Sequence, residues 1–116
     1  MSMTVNRLKA ETILKFGDVE YKANMSLDTI IRLEDKLGMG IFELGTKFSK
    51  GQFRINQIIS ILALAIRAGG NDVKDSDIKI LVSNVGVVES VKITSDLITL
   101  ALNVEIEGEK KSEEET

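Results

Sequence analysis

A chain of 116 residues and 12.8 kDa has room for one hydrophobic core and none for a second domain. Its 43% apolar and 28% charged residues suit a folded soluble protein, and the lack of any Cys, His or Trp removes disulfides, thiolate and imidazole catalysis and the usual zinc sets. The net charge of -3, with "KFSKGQFR" as the densest positive stretch, argues against a nucleic-acid surface, which needs concentrated Lys and Arg to neutralise phosphate.

The apolar run "IISILALAI" is far shorter than the roughly 20 residues that cross a bilayer, and the first residues lack the charged-then-apolar layout of a secretion signal. No membrane span is therefore expected, and the bacterial cytoplasm is the expected location.

In chain order, residues 1–10 read as an N-terminal arm. "TILKFGDVEYKA" predicts two short strands around Gly17-Asp18, because Gly at the first loop position suits a type II′ turn. A lone hairpin is marginal, so its apolar face, with Phe16, Val19 and Tyr21, should pack on helices.

Ser26 is placed to cap a helix through "LDTIIRLEDKLG", with Asp28 in its first turn and Gly38 as its stop. Leu27, Ile30, Ile31, Leu33 and Leu37 form the expected apolar stripe. A short second helix follows in "IFELGTKFSKG", with Ile41, Phe42, Leu44 and Phe48 at helical spacing and Gly51 at its end.

"RINQIISILALAIRAGG" is apolar on nearly every side from Ile58 to Ile66, which predicts a central helix surrounded by neighbours and stopped at Gly69. Asp75 is the expected N-cap of a fourth helix, "SDIKILVSNVG", ending at Gly86. Val87, Val91, Ile98, Ala101 and Leu102 fit one face of a fifth helix broken near Thr94. A strand ending around Ile106 is the rival reading, since "LALNVEIEG" alternates. Residues 106–116 are expected as a flexible tail, since "EGEKKSEEET" is rich in charge and carries no apolar residue.

The expected fold is α+β and mostly α-helical: an N-terminal β-hairpin and about five helices in one compact domain over residues 11–105.

Three stretches invite a chemical reading. "RAGGNDVKDSDI" holds Asp72, Asp75 and Asp77, but at the wrong spacing for an EF-hand calcium loop and without its terminal Glu. Gly69-Gly70 lack a following P-loop Lys, and the nearby aspartates would repel phosphate. A helix joint accounts for the stretch better: glycines ending one helix, Asn71 and Asp72 turning the chain, Val73 anchoring it and Asp75 opening the next helix. Gly38 and Gly40 likewise read as helix punctuation. Glu34, Asp35 and Glu43 read as a solvated helix face with Arg32, Lys36 and Lys47 as surface partners. No catalytic, cofactor-binding or metal-binding residue is expected, and the chain is not expected to be an enzyme.

The order of "GDVEYKANMSLDTIIRLEDKLG", "IFELGTKFSKGQFRINQIISILALAIRAGGNDV" and "SDIKILVSNVG" resembles the tail assembly chaperones of long-tailed phages and prophages, of the gene-transfer-agent type. The resemblance covers roughly residues 16–103 and rests on "LEDKLG", "ELGTKF", "AIRAGGNDV" and "LITLAL". Leu33, Glu34, Leu37 and Gly38 match that family's first helix and its stop. Leu44 and Phe48 match the next helix, and Gly69, Gly70 and Val73 its glycine-pair loop. The chain departs in being rich in Ile and Lys where the commoner members carry Ala, Arg and Gly, and nothing after Asn103 matches.

The resemblance implies a non-enzymatic helper that binds the tape measure protein and helps recruit tail tube proteins during tail morphogenesis, without cofactor, nucleic acid or membrane. A structural, tube-associated tail protein is the alternative it leaves open, as is association between copies of the chain. The expected contact surface comprises Met39, Ile41, Phe42, Phe48 and Phe53, which cluster around glycine-punctuated helices.

Overall fold

The computed structural model describes the backbone of residues 10–115 and the side chains of residues 10–104. Apart from Ala10, the expected N-terminal arm lies outside the described residues. The elements run β1 (Glu11–Phe16), β2 (Val19–Asn24), α1 (Leu27–Leu37), α2 (Ile41–Ser49), α3 (Ile55–Ala68), α4 (Asp75–Val85) and α5 (Val87–Glu115). A two-stranded antiparallel hairpin followed by five helices is the expected α+β, mostly helical architecture in one compact domain.

The hairpin closes through Gly17-Asp18, with Phe16 opposite Val19. Gly17 has φ 65° and no non-glycine residue among those described has positive φ, which is the type II′ pattern that only the first loop residue must satisfy. Leu14, Phe16 and Ala23 are buried on the inner face, and the Tyr21 ring meets Phe16 edge-on at 6.4 Å. Val19 shares that face but sits at the turn and stays exposed. β2 lies against α3, the central helix, whose residues Ile58 to Ala63 are all buried.

The helix boundaries follow from capping. Ser26 accepts from the Thr29 N–H at 3.5 Å, and Gly38 closes α1 in the left-handed conformation, donating to the Glu34 carbonyl. The buried stripe of α1 is narrower than expected. Thr29, Ile30 and Leu33 point inward, whereas Leu27 and Ile31, one turn apart on the flank, are about half exposed. At the end of α2 the Gln52 N–H bonds the Lys47 carbonyl at 2.7 Å and the Gly51 N–H bonds that of Phe48 at 3.2 Å, a Schellman closure.

Two expectations in the C-terminal half are corrected. α4 is capped at Lys74 and not at Asp75, because Asp77 turns back to accept the Lys74 N–H at 2.8 Å, which frees the Asp75 carboxylate for other partners. α5 runs without a break through Thr94, and there is no strand near Ile106. Its buried face is Ser90, Ile93, Thr94, Leu97, Ile98 and Ala101, while Val87 is exposed. The Thr94 hydroxyl, at the expected break, instead donates back along the helix to the Ser90 carbonyl, and Ser90 Oγ does the same to that of Gly86, each at 2.8 Å. The helical backbone continues to Glu115, through the charged segment expected as a flexible tail.

α5 packs along α2, α3 and α4 and reaches α1, so the last helix gathers the others around the core.

Candidate interaction surface

The side chains that invited a chemical reading are either engaged in the fold or exposed to solvent. Arg67 donates through Nε to the Val73 carbonyl at 2.7 Å and through Nη2 to Asp75 Oδ1 at 2.8 Å, and Lys36 lies 3.9 Å from the other Asp75 oxygen. Asn71 bridges the carbonyls of Lys22 and Ile66, Asp77 caps α4, and Asp72 faces solvent. The carboxylates of this loop do not converge, and no group of His, Cys, Asp and Glu that would hold a metal occurs among the described residues. Gly69 is needed for contact: a Cβ there would lie 2.0 Å from the Lys22 carbonyl oxygen, so α3 ends against the backbone of β2. The loop is the joint that its residues suggested.

Glu34 also has a local task. Its Oε2 accepts the Ile41 N–H at 2.8 Å, supplying to α2 the cap that Gly40 cannot. Asp35 and Glu43 are exposed, and Lys36 reaches toward Asp75.

Apolar surface is the remaining resource. Of the five residues expected to bind a partner, Ile41 is 1% and Phe48 7% exposed, and both belong to the core. Met39 and Phe53 are partly buried against it, with the Phe53 ring stacked on Phe48 at 4.9 Å. Phe42 alone stands out, at 51% exposed. Helical spacing groups Ile41, Leu44 and Phe48 on one face and Phe42 beside it, and the position of α5 decides which face is covered.

Among the described residues, two open grooves flank α5. One, of about 330 Å³, lies between α2 and α5, with Phe42 on one wall and Ile98 and Leu102 on the other. Gly45 lets the helices approach, since a Cβ there would meet Leu102 Cδ1 at 3.3 Å. The second, of about 480 Å³, lies between β1 and α5 and is lined by Ile13, Leu14, Leu97 and Leu100 with Glu89 and Asp96 at its margin. Exposed Ile13 was missed in the sequence, although its alternation with Leu14 and Phe16 on a strand already placed it on the opposite face. No helix among the described residues is long and apolar enough to cross a membrane.

The described residues thus form a small α+β domain whose loop polar groups are largely engaged and whose last helix is flanked by open grooves. The chain belongs to the family described as phage tail tube protein, GTA-gp10, which it matches over residues 9–104. That match takes in the hairpin, α1 to α4 and α5 as far as its buried face extends. It agrees with the resemblance to tail proteins of phages and gene transfer agents, and its description is of a tube protein, not of an assembly chaperone. No curated protein and no solved structure matches the chain.

Proposed function

We propose that this protein is a structural, tube-associated component of a phage or gene-transfer-agent tail, working by protein contact and without catalysis. The family match over residues 9–104 carries this reading. Engaged loop carboxylates and the lack of His and Cys support the non-catalytic part. The subunit would meet its partners in the bacterial cytoplasm and take no nucleic acid, membrane or cofactor. Quantitative mass spectrometry of purified tails tests it: a copy number comparable to that of the tube ring subunits is expected, and absence from finished tails would overturn it.

One observation favours the second reading, an assembly chaperone that binds the tape measure protein and recruits tube subunits. The described residues contain a single two-stranded sheet, whereas rings of tube subunits draw on extensive β-structure. A chaperone would be missing from finished tails yet keep co-expressed tape measure protein soluble. The groove walled by Phe42, Ile98 and Leu102 is the surface proposed for that contact.

A further inference from the structure

The two edges of the hairpin are treated differently. In a hairpin closed by a two-residue turn the flanking pair Phe16 and Val19 is hydrogen-bonded, and so are Leu14 with Tyr21 and Thr12 with Ala23. The backbone groups of the alternate residues point away from the ladder. On β2 one of these, the Lys22 carbonyl, is held by Asn71 at 2.8 Å, and Gly69 lies against the same strand. On β1 the outward groups belong to Glu11, Ile13 and Lys15, and none has a backbone partner among the described residues. The groove of about 480 Å³ runs along this edge, and the Ile13 side chain is 53% exposed.

An open edge with an exposed apolar side chain is a template for another strand, and the order of side chains on β1 selects which one. When a second β1 is laid antiparallel about a twofold axis at Ile13, Ile13 meets Ile13 of the partner subunit. Glu11 then opposes Lys15 of the partner subunit, and Lys15 opposes Glu11 of the partner subunit. The facing residues are those whose N–H and C=O point outward, so hydrogen bonding and side-chain register agree. A slip of two residues would set Glu11 or Lys15 against Ile13 and lose both charge pairs.

The neighbouring charges extend the match. Lys15 Nζ lies 3.8 Å from Glu20 and Lys22 Nζ lies 3.7 Å from Glu11 on the solvent face. Across β2, β1 and the partner's β1 the charge therefore alternates from Glu20 to Lys15 to Glu11 of the partner subunit. Opposite charges directly across a ladder are favourable and like charges unfavourable.

The geometry points to β1 as a homotypic edge, through which two copies of this chain pair by Glu11, Ile13 and Lys15 into a continuous four-stranded antiparallel sheet. This pairing is independent of whether the protein stays in the finished tail.

Sedimentation equilibrium of the full chain over a wide concentration range, at low salt, tests it. The native chain forms a dimer. Glu11→Lys and Lys15→Glu each place like charges at both outer pairs and weaken the dimer by at least about tenfold, with unchanged circular dichroism because the Glu11–Lys22 and Lys15–Glu20 pairs they break within the chain are solvent-accessible and contribute little to stability. Mixing the two single variants restores opposite charges at both pairs and yields a heterodimer. A native chain that stays monomeric overturns the inference, as it would if the edge is taken by residues 1–9 or reserved for a segment of another protein. A dimer indifferent to the single reversals, or variants that fail to pair when mixed, overturns it equally.

Discussion

Asn71 holds the carbonyl of Lys22 across 49 residues of chain, with Nδ2 2.8 Å from the oxygen. The same amide reaches the Ile66 carbonyl at 3.1 Å, so one side chain ties the end of α3 to the outer edge of β2. Together with the burial of Leu14, Phe16 and Ala23, this bridge makes a hairpin that would be marginal alone part of the domain.

Gly69→Ala should therefore destabilise the fold by about 1–3 kcal/mol, because the new methyl would sit 2.0 Å from the Lys22 oxygen and backbone must move. Asn71→Ala should cost about 1–2 kcal/mol by removing both bonds. Urea unfolding of the two variants measures each loss, and a Gly69→Ala protein as stable as the native one would refute the close approach.

Glu34 caps a helix to which it does not belong. Glu34→Ala should cost about 1 kcal/mol, whereas Glu34→Gln should retain most of that stability, since its amide oxygen can still accept the Ile41 N–H seen at 2.8 Å. Thermal melts of the pair distinguish a cap from a surface charge, for which both changes would matter little.

Ile41 and Phe42 are chain neighbours with opposite fates. Ile41→Ala should cost about 2–4 kcal/mol as a core truncation, and Phe42→Ser no more than about 0.5 kcal/mol, in keeping with exposures of 1% and 51%. Denaturant midpoints give the comparison, and equal losses would mean that Phe42 is covered. Phe42→Glu is accordingly the variant with which to probe partner contact, free of a folding defect.

Gly45 faces Ile98 and Leu102 where α2 packs on α5. Gly45→Ala should lie within about 0.5 kcal/mol of native, as the gain of up to about 1 kcal/mol in helix propensity offsets crowding. That crowding is modest, with the new Cβ 3.3 Å from Leu102 Cδ1. Gly45→Val should cost about 1–3 kcal/mol by overfilling the same space. Guanidinium titrations would show the divergence, and a harmless Val would place the helices further apart.

Much of the architecture was legible because its signals are local. The Gly17 turn, the Ser26 cap, the Gly38 stop and the all-round apolar α3 each depend on residues within a turn or two of themselves. Less legible were α5 and the contact surface. Thr94 suggests a break in the chain, and only the burial of Ser90 and Thr94 against neighbouring helices shows why their hydroxyls turn back onto the Gly86 and Ser90 carbonyls. Lys74, a poor cap by type, opens α4 because Asp77 reaches back to it.

The amino-acid order thus specified the element types, the glycine stops and the lack of a histidine or cysteine chemistry, since these follow from backbone preference and composition. Packing settled the rest. It set which apolar residues are covered, with Ile41 and Phe48 inside and Leu27, Ile31 and Phe42 outside. It also set which strand edge is held, that of β2 by Asn71, while the β1 edge has no backbone partner among the described residues. Helical spacing offers several apolar faces at once, and the placement of α3 and α5, far away in the chain, chooses among them.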